Sequence, residues 1–288
     1  MNQPVNQPMI ELYDEYTHRP LARRVFLERL VALAGSTAAA QAFLAVIEPN
    51  YAQAAVVPAD DPRLGAAPYT ASPELKGTLV YPKAKGPEIK DNLVIVIHEN
   101  RGLNPHIEDV ARRVALEGFH AFAPDFLTPY GGTPSDEDQA RDMFAKIDMA
   151  RVVRSAADVI AAFKQKNSSM KIGAVGFCWG GGSVNSIATA APGLDAGVAF
   201  YGVAPKLEDV PKIKATMMLH YGALDARVNA TKEPFENAMK AAGVSFQSFI
   251  YEGANHAFHN DTSPERYVEA AAKLAWQRTM DLFKQKLA

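Results

Sequence analysis

The only cysteine in the chain lies in a glycine-rich stretch that could present it as a nucleophile. Residues 176–180, Gly-Phe-Cys-Trp-Gly, place Cys178 between two glycines at the spacing of a nucleophile elbow. In so tight a turn, side chains two residues before and two residues after the nucleophile would collide, which explains the glycines. A single cysteine excludes an internal disulfide framework and a zinc site built from cysteines. Cys178 is therefore either a small buried hydrophobic residue or a reactive thiol.

A nucleophile of this kind needs a base and an acid that orients the base. In chains with this elbow both follow it, the acid first and the histidine second. Asp225 and then His256 each come just after an apolar, strand-like stretch. His259 is the rival base, but His256 is favoured because a G-x-x-H pattern after a strand is the usual setting of such a histidine. We therefore predict that Cys178, Asp225 and His256 form a catalytic triad.

A third segment that bears on chemistry lies upstream, where an apolar run ends in the sequence His-Glu-Asn-Arg-Gly. In enzymes with a nucleophile elbow, the loop after the corresponding strand supplies one N–H of the oxyanion hole, and the residue after the nucleophile supplies the other. We assign these two N–H groups to Asn100 and Trp179. Glu99 is a further ionisable group, which we place at the mouth of the site near the thiol. Alternatively, Glu99 is an ordinary acidic residue on the surface.

Strand-like and helix-like segments alternate through the body of the chain, and these elements must position the site. The run 93–97 is apolar on both faces, as in a buried parallel strand. Further strands are predicted at 119–122, 171–177, 197–201, 216–221 and 246–251. Helices are predicted at 107–116, 138–163 (as one or two), 180–190, 233–242 and 264–287. This alternation predicts one α/β domain over 77–288, with a mostly parallel sheet and helices on both faces.

The first 57 residues have two interpretations. The pair Arg23-Arg24, the uncharged stretch 30–46 and the Ala-Gln-Ala of 52–54 together resemble a Tat export signal, which implies a periplasmic protein. Alternatively, these residues form retained helices that pack on the body or on a second subunit, and the protein is cytoplasmic. The charges of Glu28-Arg29, between the arginines and the apolar stretch, favour the second interpretation. Glycine and hydroxyl residues make the stretch a poor permanent membrane span.

The overall composition and charge limit the kinds of molecule that the protein is expected to bind. The 288 residues are 48% hydrophobic, enough for a large core, and the net charge is −2. No dense block of lysine and arginine is present, so we do not expect a nucleic-acid partner. Residues 58–76, rich in Pro, Asp and Ala and without periodicity, are predicted to be a linker.

With these motifs in place, the chain resembles the dienelactone hydrolase (carboxymethylenebutenolidase) family from about Gly77 to the C-terminus. Three further short motifs support this resemblance. They are Ala-Pro-Asp at 123–125, Phe-Tyr-Gly at 200–202 and Gly-Ala-Asn-His-Ala-Phe at 253–258. The resemblance implies an α/β-hydrolase fold and a triad of Cys178, Asp225 and His256. It also implies that Glu99 holds the resting thiol and helps to convert it to thiolate. The family needs no metal and no organic cofactor.

The chain departs from this family at the substrate clamp. The family binds the substrate carboxylate with two arginines, whereas the matching positions here hold Glu137 and Asn260. Arg101, Arg141 or Arg227 could serve instead, with Arg101 the first choice. The predicted walls of the pocket are aromatic, with ordinary core packing as their alternative role. They are Trp179, Tyr130, Phe144, Tyr201 and Phe258.

The sequence therefore predicts a cysteine-dependent hydrolase of small esters or lactones. A thioesterase or a broad carboxylesterase with the same triad is the nearest alternative. The alternative from another class is a redox sensor whose thiol is oxidised, although sensors usually carry a resolving cysteine and this chain has none. The expected partner is the small-molecule substrate, with no stable membrane span, and a homodimer is left open.

Overall fold

The computed structural model describes residues 6–19, 21–50, 56–89 and 92–287. Eight strands form one sheet in the order β1-β2-β4-β3-β5-β6-β7-β8. These strands are Leu64–Ser72 (β1), Leu75–Pro82 (β2), Asn92–Ile97 (β3), His120–Asp125 (β4), Lys171–Phe177 (β5), Ala196–Phe200 (β6), Thr216–Gly222 (β7) and Phe246–Tyr251 (β8). β1 pairs antiparallel with β2 and β2 antiparallel with β4, and all other pairs are parallel.

Helices cover both faces of the sheet. The helices are Gln7–His18 (α1), Arg23–Ala34 (α2), Thr37–Ile47 (α3), Pro105–Leu116 (α4), Glu137–Phe144 (α5), Met149–Lys166 (α6), Trp179–Ala190 (α7), Ala226–Ala242 (α8) and Glu269–Leu287 (α9). α4 and α9 pack on one face, and α5 to α8 pack on the other. In β3, Leu93 and Ile95 join the second of these cores while Val94 and Val96 join the first, so the strand is apolar on both faces. The predicted α/β-hydrolase fold is confirmed.

The predicted linker at 58–76 is wrong over most of its length, because β1 occupies residues 64–72 as an edge strand. Its side chains are small and mostly half-exposed, so they give no apolar run in the sequence. Pro68 is compatible with this position, since an edge strand can leave one side of its backbone unpaired.

The N-terminal extension forms three helices with an apolar cluster of their own. Tyr13, Tyr16, Phe26 and Leu30 are among its buried members. Gly35, with φ of 78°, ends α2, and Ser36 caps α3, so the residues that interrupt the apolar stretch separate two helices. No single helix among the described residues is long and apolar enough to cross a membrane. α2 and α3 meet that test only as a pair bent by 109°.

The extension docks on the catalytic body through backbone and side-chain hydrogen bonds. Ser263 Oγ donates to the carbonyl of Ile47 at 2.6 Å, and the N–H of Asn50 donates to the carbonyl of Thr262 at 2.7 Å. Retained helices that pack on the body were one of the two interpretations of the sequence. The Ala-Gln-Ala of 52–54 lies outside the described residues, and export stays a prediction.

Candidate active site

Cys178 occupies the tight turn that its flanking glycines predict. It lies between β5 and α7 with φ of 55° and ψ of −114°, a conformation that side-chain-bearing residues rarely adopt. A Cβ on Gly176 would lie 2.1 Å from the carbonyl oxygen of Gly180, and a Cβ on Gly180 would lie 2.5 Å from that of His98. The N–H of Cys178 donates to the carbonyl of Phe200 at 3.0 Å. Strand, helix and neighbouring backbone together hold the strained turn.

His256 and Asp225 form the buried pair that the sequence predicts. His256 Nδ1 lies 2.5 Å from Asp225 Oδ2, and Asp225 Oδ1 accepts from the N–H of Val228 at the start of α8. Burial opposes protonation of His256, but the Asp225 carboxylate and the Cys178 sulfur outweigh it and raise its pKa to about 10. Burial likewise opposes ionisation of Asp225, yet the charge of His256 keeps the pKa of Asp225 below its usual value. Once the thiol gives up its proton, His256 can therefore retain it.

The rival base, His259, lies in a different environment. Its ring stacks on Phe177 with centroids 5.2 Å apart and packs against Trp276 at 5.6 Å. Burial, together with the nearby Arg113, keeps the pKa of His259 well below its usual value, so it stays neutral. Asp225 orients His256, and His259 belongs to an aromatic cluster.

A histidine from the N-terminal extension, which the sequence analysis missed, reaches the nucleophile. His18 Nε2 at the end of α1 lies 3.0 Å from Cys178 Sγ. The ring of His18 meets that of His256 edge-on, with centroids 4.6 Å apart. The only signal in the sequence was a histidine near the end of a helical stretch, which does not show where that helix docks.

The proton on His18 can be assigned from its surroundings. Its Nδ1 lies 2.8 Å from the carbonyl oxygen of Asp14, an atom that can only accept, so Nδ1 carries the hydrogen. Burial and then the positive charge of His256 keep the pKa of His18 well below its usual value. A neutral His18 therefore presents a lone pair on Nε2, and the resting Cys178 thiol donates to it.

α1 is fixed over the site by buried polar contacts. Gln7 Nε2 donates to Asn255 Oδ1 at 2.9 Å, and Asn255 Nδ2 donates back to Gln7 Oε1 at 3.1 Å. The Asn100 side-chain amide donates to the carbonyl of Thr17 at 2.7 Å. Asn255 precedes the triad histidine, and Thr17 precedes His18. The extension is thus joined to the same two loops that carry the catalytic groups.

The two groups assigned to the oxyanion hole lie on elements that meet at the elbow. Trp179 is the first residue of α7, where a backbone N–H has no partner within the helix. Its indole stacks on His98 with centroids 5.4 Å apart and packs on Phe144 at 4.7 Å. Asn100 lies in the loop after β3, with its side chain bound to α1. The oxyanion hole itself stays a prediction.

Glu99 does not hold the resting thiol in this structure. Its Oε2 accepts from Asn260 Nδ2 at 2.9 Å, and its Oε1 accepts from the hydroxyl of Tyr201 at 3.4 Å. His18 occupies the position beside the Cys178 sulfur instead. Asn260, which the resemblance predicts to be a clamp position, is fully buried and hydrogen-bonded to Glu99.

The predicted aromatic walls divide into two groups. Tyr201 belongs to the site, because its ring centroid lies 5.0 Å from that of His256, and burial followed by the charge of Glu99 raises its pKa. Phe258 is fully buried against Tyr201 at 5.5 Å, and Phe144 packs on Trp179, so both support the site from the core.

Tyr130 has its contacts in a surface cavity. It lies on a short turn of 3₁₀ helix with 44% of its surface exposed. The Arg151 guanidinium lies 5.7 Å from its ring centroid, and both residues line a surface cavity with Glu74 and Phe126. The role of Tyr130 as a wall of the catalytic pocket stays a prediction.

The arginines proposed as substitutes for the clamp are mostly committed elsewhere. Arg101 lies 3.4 Å from Asp138 and 3.8 Å from Glu137, and Arg141 lies 3.1 Å from Asp138. Arg227 Nη2 is 3.5 Å from Nδ1 of His256, but that nitrogen donates to Asp225, so Arg227 acts there through its charge, which helps to lower the pKa of Asp225. Arg101 and Arg141 are thus the two that are paired with carboxylates of the protein.

Backbone strain is concentrated at this site. Among the described residues, the non-glycine residues with positive φ are Cys178 at 55°, Tyr201 at 40° and Ala257 at 62°. Cys178 is the predicted nucleophile, Ala257 follows His256, and the ring of Tyr201 lies 5.0 Å from that of His256. Strained backbone of this kind persists where the surrounding structure enforces it and is typical of active sites.

Comparison with known proteins places this arrangement in context. The profile of the Dienelactone hydrolase family matches residues 75–287, which begins after α1 to α3. A "Putative carboxymethylenebutenolidase" of Escherichia coli is 33% identical over 210 residues, covering 67% of this chain and 76% of that protein. The protein of the same name from Methylorubrum extorquens is 32% identical over 209 residues, covering 67% and 71%. The crystal structure of a "Putative Dienelactone Hydrolase" from Klebsiella pneumoniae superposes with a TM-score of 0.67 at 28% identity, over 77% of this chain and 99% of that one.

Proposed function

Because the chain belongs to the dienelactone hydrolase family, we propose that it hydrolyses small carboxylic esters or lactones with Cys178 as its nucleophile. The observation that carries the proposal is the buried pair of His256 Nδ1 and Asp225 Oδ2, 2.5 Å apart, beside a cysteine in a nucleophile elbow. A base that is held by an acid and lies next to a nucleophile is the arrangement that acyl transfer requires.

The chemistry begins with deprotonation of the thiol. His256 Nε2 accepts the proton of Cys178, and Asp225 stabilises the resulting imidazolium. The raised pKa of His256, about 10, keeps the proton on the ring once the thiolate has formed. The thiolate attacks the substrate carbonyl carbon. The carbonyl oxygen becomes an oxyanion, which the N–H groups of Trp179 and Asn100 bind.

Collapse of this tetrahedral intermediate expels the alcohol oxygen, and the His256 imidazolium gives it a proton. The acyl group then remains on the Cys178 sulfur. His256 next takes a proton from water, whose oxygen attacks the thioester, and returns it to sulfur as the carboxylic acid leaves. For a lactone, alcohol and acid are parts of one product.

The test compares the wild type with Cys178→Ala on p-nitrophenyl esters, lactones and acyl-thioesters. We expect the wild type to turn over short esters or lactones, and the variant to be inactive with an unchanged circular dichroism spectrum. A trapped acyl group should appear by mass spectrometry on the peptide that contains Cys178. Full activity of Cys178→Ala would contradict the proposal, and a preference for thioesters alone would favour a thioesterase.

A further inference from the structure

Three side chains with metal-binding atoms meet where α1 reaches the catalytic face. Nε2 of His18, Sγ of Cys178 and Nε2 of His256 all lie within 4.8 Å of one another. Imidazole nitrogen and thiolate sulfur are among the preferred ligands of zinc. We propose that these three side chains bind one Zn²⁺ ion, with a fourth position open to water, and that the ion inhibits the enzyme.

Both histidines have the support that metal-ligating histidines usually have. A ligand histidine normally donates its other ring N–H to a carbonyl or carboxylate, which fixes its tautomer and orientation. His18 does so through Nδ1 to the carbonyl of Asp14 at 2.8 Å, and His256 through Nδ1 to Asp225 at 2.5 Å. In neutral form, both rings thus turn an Nε2 lone pair toward the Cys178 sulfur.

A second observation indicates that a ligand would fit at this point. His256 is 1% exposed, and within the part of the chain that the structure describes its Nε2 has no hydrogen-bond partner. The Cys178 sulfur is close enough to raise the pKa of His256, but among the described residues the sulfur's contact with normal hydrogen-bond geometry is the one to His18. A buried polar atom without a partner destabilises a protein, and a metal ion at this point would supply one.

The distances require only small adjustments. Zinc bonds of about 2.0–2.1 Å to nitrogen and 2.3 Å to sulfur place tetrahedral ligand atoms about 3.3–3.6 Å apart. The His18 Nε2 to Cys178 Sγ separation of 3.0 Å would widen slightly, and any longer separation, at most 4.8 Å, would shorten. His18 is the last residue of α1, so a small movement of the helix end would make this adjustment.

The charges also balance. A Cys178 thiolate and the Asp225 carboxylate behind His256 together offset the two positive charges of the ion. Arg227 is the opposing cation, but its Nη2 approaches His256 on the Nδ1 side, at 3.5 Å, away from Nε2. Binding releases one proton, from the thiol in the resting form or from His256 in the ion-pair form.

Such an ion would occupy the nucleophile and the base at once, so zinc would inhibit whatever reaction they perform. The inference goes beyond the proposed function, because binding needs only these three side chains and no substrate. Zinc is here an inhibitor and not a cofactor. One of the three ligands, His18, belongs to α1, so the zinc site exists only when α1 is docked on the body. The family match begins at residue 75 and does not include α1.

The test uses the full chain, freed of metal by a chelator and titrated with Zn²⁺ against a competing chromophoric chelator. We expect one zinc per chain, with affinity at least tenfold weaker in His18→Ala, His18→Gln and Cys178→Ser. The matched control is His120→Gln, which should bind zinc like the wild type. His120 is the first residue of β4 and so lies at the opposite end of the parallel strands from Cys178. Circular dichroism confirms that each variant is folded.

Replacing zinc by Co²⁺ gives a readout that does not depend on activity. A sulfur-to-cobalt charge-transfer band should appear in the near ultraviolet and be absent in Cys178→Ser. His18→Ala should lose the strong visible bands of a four-coordinate ion. No zinc bound at micromolar concentration, or equal affinity in the wild type, His18→Ala and Cys178→Ser, would overturn the proposal.

Discussion

The side-chain amide of Asn260 donates a hydrogen bond of 2.9 Å to Oε2 of Glu99. The resemblance to the family predicts that Asn260 stands where an arginine would bind the substrate carboxylate. Here the position is neutral, fully buried and already engaged with a carboxylate of the protein itself. An incoming substrate carboxylate would therefore meet Glu99 beside a neutral side chain. A buried cation near Glu99, Arg266, already pairs with Asp14 at 3.6 Å.

We expect neutral short-chain esters or lactones to be better substrates than carboxylated dienelactones. A buried carboxylate without a partner costs several kcal/mol, more than a missing methylene group. The check is kcat/KM for a neutral lactone and for its carboxylate analogue. Arg101, which already pairs with Asp138 and Glu137, is the residue to examine as a substitute clamp. A tenfold preference for the carboxylate that Arg101→Ala abolishes would show that the clamp has moved there.

The roles of the two histidines near the triad can be separated by paired substitutions. His256→Ala should lower kcat by at least about 10³, because the base and acid steps both depend on this ring. His259→Ala should lower it far less, since that ring packs among Phe177 and Trp276. Steady-state kinetics on one ester, with thermal unfolding as the stability control, measures both. The reverse ranking would assign the base to His259.

Much of the catalytic centre follows from local sequence, because its parts lie at strand ends. The predicted bounds of Lys171–Phe177 and Phe246–Tyr251 agree with β5 and β8, and the glycines around Cys178 specify its turn. β1 was missed because an edge strand of small, half-exposed residues has no apolar pattern. α9 begins at Glu269, five residues after the predicted start at Pro264.

The contact of His18 with Cys178 could not be predicted in the same way. These residues are 160 positions apart, and their meeting depends on where α1 docks. That docking is set by tertiary contacts such as the reciprocal amide bonds of Gln7 and Asn255. A helix pattern predicts which face is buried, but not against which surface.

Loss of the His18 side chain should make Cys178 more reactive toward iodoacetamide. In the resting form the thiol donates to His18 Nε2 at 3.0 Å, and the ring also covers the sulfur. A hydrogen bond of this kind contributes about 1 kcal/mol, so we expect labelling of His18→Ala to be roughly five- to tenfold faster. The assay is the pseudo-first-order rate by mass spectrometry, with chelator present to remove metal.

His120→Gln is the control for this experiment, because His120 lies on β4 and bonds to the carbonyl of Gly86. It should be labelled at the wild-type rate. Slower labelling of His18→Ala would mean that His18 activates the thiol and does not restrain it. Cys178→Ala, which has no thiol, sets the background of the assay.

The last prediction concerns stability in acid and rests on a histidine outside the site. His220 is fully buried, with Nε2 3.2 Å from Thr279 Oγ1 and Nδ1 2.9 Å from the hydroxyl of Tyr251. The Thr279 hydroxyl donates to the carbonyl of Ala275, so it accepts from Nε2, and Nδ1 accepts from Tyr251. Burial and then the charge of Arg278 lower the pKa of His220 to about 3.

Since the pKa of His220 is about 6.5 in the unfolded chain, the unfolded state binds more protons between pH 6.5 and about 3. The free energy of unfolding should therefore fall as pH falls through this range, and His220 contributes up to about 1.4 kcal/mol per pH unit. His220→Gln should flatten the curve by that amount, measured by urea unfolding at pH 4, 5, 6 and 7. Tyr251→Phe keeps the histidine and should lower stability while retaining the slope. Parallel curves for the wild type and His220→Gln would mean that His220 does not take up the proton that destabilises the fold.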